Sequence, residues 1–351
     1  MAARVPSYAA PGPKAPLVPF EINRRETGPD DVRIEILYCG VCHSDIHQVR
    51  DEWFPGIFPM VPGHEIVGRV IDVGGRVTKL GVGDLAGVGC FVDSCLSCDP
   101  CGQDLEQFCQ KGVAFTYNGT EMDRQTPTYG GYSTQIVVKE RFTLKVPSGL
   151  DPAGAAPLLC AGITTFSPLR QWMCKPGDRV AVVGLGGLGH MAVKLAAAMG
   201  AEVTMLSTSR AKEADARRLG AHAFELTGGP DALARLSGRY DLIIDTISVN
   251  HDLNAHLDLL RTKGTMVLVG VPPAPAPVAA MPLIFGNKRL AGSMIGGIAE
   301  TQEMLDFCGA KKIVADVEII PIRKINEAYE RMIRSDVRYR FVIDIATLSR
   351  G

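Results

Sequence analysis

Between Val180 and His190 the chain reads VAVVGLGGLGH. A β-branched apolar run, glycines spaced G-x-G-x-x-G and a helical pattern follow one another without a gap. That order leaves little choice but a strand, a tight turn and a helix. The loop is Gly184, Leu185, Gly186, Gly187, Leu188 and Gly189. Gly184 permits the turn, Gly186 lets the backbone approach a pyrophosphate, and Gly189 lets the helix lie close to the strand. The helix start then offers free N–H groups and a favourable dipole to the anion.

The flanking sequence repeats this rhythm. DRVAVVG, EVTMLS, YDLIIDTI, TMVLVG and RLAGSMIGG read as strands. GLGHMAVKLAAAMG, RAKEADARRLG and DLNAHLDLLRTKG read as the helices between them. Such alternation implies right-handed βαβ units and a doubly wound parallel sheet of the Rossmann type. After about Ile298 come helix ETQEMLDFC, strand VEII, helix INEAYERMI and strand RYRFVID. From about Val32 to Val146 the pattern differs. Short runs such as DVRIEILYCG, GHEIVGRVIDVG and YSTQIVVKE, broken by Gly and Pro, predict a compact β-rich unit. The fold class is therefore α/β with a second, β-rich domain.

An NAD site usually places Asp or Glu at the end of the second strand to hold the ribose hydroxyls. This chain has Ser207, Thr208, Ser209 and Arg210 there, with Lys212 beyond. Hydroxyls and cations suit a 2′-phosphate, so the expected coenzyme is NADP(H). Ser209 also fits an ordinary helix start, with Arg210 and Lys212 solvated.

The net charge is −1, which gives no electrostatic footprint for nucleic acid or an anionic membrane. No secretory signal is visible: MAARVPSYAAPGPKAPLVPF is Pro-rich and reads as an N-terminal strap. The uncharged stretch Pro152 to Leu169 is interrupted by proline and glycine, and Gly264 to Asn287 by proline, so neither spans lipid. A cytoplasmic protein is expected, and there stable disulfides are disfavoured. The chain nevertheless has 10 cysteines. Cys95, Cys98, Cys101 and Cys109 are spaced C-x2-C-x2-C-x7-C, which lets four sulfurs converge on one tetrahedral zinc of structural type. Free thiols and an iron–sulfur centre are the other readings. Elsewhere, Cys42 in CGVCHSDIHQ, His64 in VPGHEIVGRV and Cys160 in PLLCAGITTF are suitable zinc ligands. Spacing alone does not link them. Taken singly, Cys160 fits a small core residue and His64 a satisfied polar group.

Together GVCHSDIH, GHEIVG, the four-cysteine loop, YGGYS, GLGGLGHMAVK and AGSMIGGI resemble the zinc-dependent medium-chain alcohol dehydrogenases. The resemblance is to the cinnamyl-alcohol-dehydrogenase-like branch and its bacterial broad-specificity aldehyde reductases. It covers nearly the whole chain. It implies a GroES-like catalytic domain from residues 1–152 and 297–351, and a Rossmann coenzyme domain from 153–296, with the active site in the cleft. It implies two zinc ions per chain. The catalytic one would be held by Cys42, His64 and Cys160, with Glu65 able to enter its sphere; Asp45 would orient His64. Asp45 could equally be a turn or cap residue. Ser44 would pass a proton toward His47, although Ser44 also fits a helix cap and His47 a surface histidine.

Thr164, Thr246, Gly270, Met294, Ile295 and Gly296 match coenzyme-contacting positions. Trp53 and Met294 would wall a pocket for apolar or aromatic aldehydes. Cys39, Cys90, Cys174 and Cys308 match no ligand position and read as small apolar residues. The expected activity is hydride transfer between NADP(H) and a small aldehyde or primary alcohol, aliphatic or aromatic, with zinc as Lewis acid, in a homodimer. The rivals are a polyol or secondary-alcohol dehydrogenase, a catalytically silent NADP-binding redox sensor, and a zinc-free quinone reductase.

Overall fold

The computed structural model describes residues 3–229 and 231–348. Met1 and Ala2 of the N-terminal strap, Pro230 and residues 349–351 lie outside the described residues. The chain divides into two compact units, one of Met1–Cys160 with Gly296–Gly351 and one of Ala161–Ile295. The first division falls later than the expected one at residues 152–153. Among the described residues no helix is long and apolar enough to cross a membrane.

The first unit is built on a seven-stranded sheet around Asp31–Val41. Along one edge this strand pairs antiparallel with Ile66–Val73. Along the other it pairs with Gln135–Lys139 over its first half and with Arg340–Asp344 over its last residues. Ile34, Ile36, Ile66, Val70, Ile136 and Phe341 close the core between them. The register has a direct consequence. Val41 faces Phe341 and Cys39 faces Ile66, so Cys42, the His64–Glu65 pair and Arg340 emerge at one end of three adjacent strands. The strap is ordered: Ala3–Ala9 forms a hairpin with Val18–Arg24.

The second unit holds a six-stranded sheet whose neighbouring strands all pair in parallel. In spatial order its strands are Ala223–Leu226, Glu202–Ser207, Arg179–Val183, Tyr240–Asp245, Leu260–Leu268 and Arg289–Gly292. This is the doubly wound order, with the switch point between Arg179–Val183 and Tyr240–Asp245. Ala181, Val183, Leu206, Ile243, Leu257 and Met266 are fully buried in one cluster.

Two local expectations change, and two elements were not expected. The helix predicted over DLNAHLDLLRTKG is only Leu253–Leu257, and the following strand already begins at Leu260. Leu253, Leu257 and Leu260 recur at helical spacing, but Leu260 pairs with Tyr240 across the sheet instead. The pattern RAKEADARRLG gives a 3₁₀ turn, Arg210–Lys212, before a short helix, Glu213–Arg218. The strand Ala223–Leu226 and the helix Ala280–Gly286 carried no recognised signal.

Candidate metal centres and coenzyme turn

Cys95, Cys98, Cys101 and Cys109 offer sulfurs that all lie within 4.8 Å of one another. Cys95 Sγ and Cys101 Sγ are 3.9 Å apart. A disulfide needs about 2.05 Å, whereas the edge of a tetrahedron with Zn–S bonds of about 2.3 Å is roughly 3.8 Å. The described cysteines are all free thiols. Backbone amides support the loop: Cys95 N–H points to Cys109 Sγ at 3.4 Å and Gln110 N–H to Cys98 Sγ at 3.4 Å. Such bonds stabilise thiolates, so the donor set fits a closed structural zinc.

The strand ends described above assemble a second group. Donor atoms of Cys42, His64, Glu65 and Cys160, all buried, lie within 4.8 Å of one another. Cys42 Sγ and Cys160 Sγ are 3.9 Å apart. Their hydrogen bond holds Cys42 far below the ordinary thiol range and pushes Cys160 far above it. Two sulfurs at this separation, one of them readily deprotonated, suit a bound cation. Glu65 offers one oxygen to Arg340, while its Oε2 is buried without a hydrogen-bond partner. Burial, opposed by the Arg340 charge, raises this carboxyl to about 7. An orphaned carboxylate oxygen beside two sulfurs and an imidazole is a donor set suited to zinc.

Asp45 ties the centre together. It lies at the third position of the helix His43–Val49, where Oδ2 accepts the Cys42 N–H at 2.8 Å. It also accepts from Gly63 N–H at 3.1 Å and Tyr132 O–H at 3.2 Å, and its Oδ1 is 3.3 Å from His64 Nδ1. One carboxylate thus contacts both the Cys42 amide at the helix start and the His64 ring. The YGGYS motif buttresses the His64 loop: Gly130 N–H donates to Val61 O, Gly131 N–H to Gly63 O and Tyr132 N–H to Pro62 O. A Cβ on Gly130 would stand 2.3 Å from Pro62 O, so only glycine allows that approach.

Ser44 Oγ is 3.5 Å from Cys42 Sγ. His47 Nδ1 is 2.6 Å from Glu52 Oε2, and its ring stacks on Trp53 with centroids 4.6 Å apart. Trp53 is partly exposed, and so is Met294.

Two residues near this centre escaped the sequence reading. Arg340 is buried against Glu65; nothing in RYRFVID distinguishes it from a surface arginine. Cys90, read as a small apolar residue, has its thiol within hydrogen-bonding reach of Cys160. That bond, against burial, makes the thiol more acidic than usual, and the His64 charge assists.

In the second unit the glycine loop joins the strand Arg179–Val183 to the helix Gly189–Ala198. Gly184 has φ +89°, the left-handed region. A Cβ on Gly189 would lie 1.9 Å from Gly184 O, whereas one on Gly186 would meet nothing within 4 Å. Thr246 Oγ1 donates to Val183 O at 2.8 Å and contacts Gly184 O at 3.0 Å. Gly270 packs on the Ile247 backbone.

Ser207 ends its strand, and its Oγ accepts the Ser209 N–H at 3.2 Å. Ser209 stands at the start of the 3₁₀ turn, but its side chain makes no capping bond. Thr208 follows in the same bend. Lys212 Nζ donates to Leu185 O at 2.8 Å, which brings a cation onto the glycine loop. Arg210 is exposed and pairs with Glu213. Thr164 is buried in the helix Ala161–Gln171. Met294 and Ile295 follow the edge strand Arg289–Gly292, and Gly296 belongs to the first unit.

Two family models match the chain: an alcohol dehydrogenase GroES-like domain over residues 28–148 and a zinc-binding dehydrogenase over 187–310. NADP-dependent alcohol dehydrogenase C 1 of Mycolicibacterium smegmatis is 55% identical over 98% of this chain and 99% of its own. Aldehyde reductase YahK of Escherichia coli is 52% identical over 99% of both. The crystal structure of CAD from Helicobacter pylori complexed with NADP(H) superposes with a TM-score of 0.92 at 41% identity, covering 99% of each chain. The chain belongs to the zinc-dependent medium-chain alcohol dehydrogenases, on their cinnamyl-alcohol-dehydrogenase-like branch.

Proposed function

We propose that this enzyme reduces aliphatic and aromatic aldehydes with NADPH and oxidises the corresponding primary alcohols with NADP⁺. The observation that carries this reading is the buried group of Cys42, His64, Glu65 and Cys160, drawn from three separate stretches of chain. It is supported by the names of the similar proteins, an NADP-dependent alcohol dehydrogenase and an aldehyde reductase.

When bound, the metal supplies Lewis acidity to a carbonyl and the reduced nicotinamide supplies a hydride. The protein's own residues do the rest. Cys42, His64 and Cys160 hold the ion as two thiolates and an imidazole. Asp45 accepts the Nδ1–H of His64, which would leave Nε2 for the metal. Arg340 keeps one Glu65 oxygen occupied while the other stays free to exchange as a donor. Ser44 gives a proton to the product oxygen, and His47, held by Glu52 and Trp53, resupplies it from solvent. Trp53 and Met294 present apolar surface to the substrate. The four-cysteine loop holds a structural zinc.

Gly186 lets the pyrophosphate approach the turn that Gly184 and Gly189 make possible, and Thr164, Leu185, Gly187, Leu188, Thr246, Gly270, Met294, Ile295 and Gly296 line the remaining coenzyme contacts. Ser207, Thr208, Ser209, Arg210 and Lys212 take the 2′-phosphate. The enzyme works in the cytoplasm as a homodimer. The free thiols support the compartment. The exposed Met281, Ile284 and Phe285 of the helix Ala280–Gly286 support the pairing.

The test is a matrix of NADPH and NADH against short aliphatic, aromatic, ketone and polyol substrates, run on protein of measured zinc content. Two zinc ions per chain, NADPH preference and turnover of both aldehyde classes are expected. Fully zinc-loaded protein that turns over polyols or ketones but no aldehyde would refute the reading.

A further inference from the structure

Asp245 and His251 sit beside the coenzyme turn, and the mechanism above uses neither. Asp245 ends the strand Tyr240–Asp245, and its carboxylate is buried. Oδ1 accepts the Ile247 N–H at 3.1 Å, and Oδ2 is 2.8 Å from His251 Nε2. The other ring nitrogen of His251 is 2.9 Å from Val249 O. Both neighbours of this ring are acceptors, so a ring carrying both N–H groups satisfies both. The main-chain oxygen of Asp245 accepts from Val269 and Gly270 N–H at 3.0 and 3.1 Å. One residue thus fastens the loop that follows it and the turn at the end of the neighbouring strand.

Thr246 and Ile247 lie between these anchors and the glycine loop. The Thr246 N–H donates to Val183 O at 3.1 Å, and its hydroxyl reaches Val183 O and Gly184 O. The Ile247 side chain would stand 3.3 Å from a Cβ on Gly184, and its carbonyl 2.2 Å from one on Gly270. Residues 246–247 are therefore a wedge between two turns, with no slack on either side.

We propose that Asp245 and His251 are a positioning pair that sets the height of this wedge and thereby tunes affinity for the nicotinamide dinucleotide. The proposal rests on the NADP(H) reading. Without the ring, Asp245 is a buried carboxylate that must find another partner, and the wedge and Gly184 relax with it.

The test is titration of zinc-loaded protein with NADPH, followed by coenzyme fluorescence, for wild type, His251→Leu and His251→Gln. His251→Leu is expected to raise the NADPH Kd about tenfold, with kcat at saturating NADPH changed less than about twofold. His251→Gln, whose amide N–H still reaches Asp245, is expected to recover most of the affinity. An unchanged Kd in His251→Leu, or a glutamine variant no tighter than the leucine one, would overturn the proposal. If His251→Leu does not fold, His251→Phe is read instead; it keeps a flat ring but offers Asp245 no N–H. A Kd raised at least about threefold supports the pair, and an unchanged one overturns it. Failure of wild type to bind NADPH would sink the coenzyme reading itself, whereas normal wild-type binding with unaffected variants sinks only the pair.

Discussion

Alanine at Gly186 and alanine at Gly189 should produce opposite defects, although the two positions are neighbours in one loop. A Cβ at 189 would fall 1.9 Å from Gly184 O, where real contacts do not go below 3.0 Å. Backbone must move by about 1 Å, and the helix Gly189–Ala198 must move with it. That helix buries Met191, Ala192, Val193, Leu195 and Ala196. Overpacking of this kind costs roughly 3 kcal/mol, or a Tm loss of roughly 6–12 °C for a unit of this size.

At 186 a methyl meets nothing within 4 Å, and φ is not in the left-handed region. Gly186→Ala should melt within about 2 °C of wild type, since less chain entropy in the unfolded state even favours it. The methyl instead occupies the space a pyrophosphate needs, so NADPH affinity should drop at least about tenfold. Differential scanning fluorimetry and NADPH titration on the two proteins separate the effects. Gly186→Ala protein with wild-type NADPH affinity would refute the assignment of this turn to the coenzyme. A Gly189→Ala protein of wild-type Tm would refute the packing argument.

Ser207→Asp places an acid where the 2′-phosphate is expected and should move the kcat/KM ratio toward NADH; unchanged selectivity would remove Ser207 from the phosphate site. Asp45→Asn keeps the shape beside His64 but not the charge, and zinc affinity measured by chelator competition should weaken about 10–100-fold. Cys98→Ser should leave one zinc per chain instead of two by metal analysis and lower the Tm, while retention of both ions would show that the loop does not need its fourth thiolate. Burial pushes Cys174 up to about 11 and Cys308 up to about 12, so at pH 8 both are protonated; mass spectrometry after iodoacetamide should find them unlabelled in native protein and labelled after unfolding.

Features set by local chemistry were legible in the chain before any coordinates. The glycine loop announces itself because strand, turn and helix are contiguous, and the four cysteines because short spacers leave their sulfurs few places to go. The second centre was legible only as a resemblance. Cys42, His64 and Cys160 meet because antiparallel register and a 3₁₀ turn, Ala156–Leu159, bring distant segments together, and no spacing rule encodes that. Arg340 and Cys90 were missed for the same reason: each owes its role to the neighbour it acquires in space. The overlong helix over DLNAHLDLLRTKG failed where leucine periodicity and strand pairing competed for Leu260, and the sheet won.

The pairing of Arg340–Asp344 with the end of Asp31–Val41 also ties the second centre to a distant part of the chain. Every donor to the second centre lies at or before Cys160, but the guanidinium that neutralises Glu65 comes 180 residues later, in the strand Arg340–Asp344. A chain ending before Arg340 can gather two sulfurs and an imidazole, yet Glu65 would then be buried without its cation and would take up a proton instead. Loss of the strand Arg340–Asp344 would therefore be felt first around His64 and Glu65, far from it in the sequence.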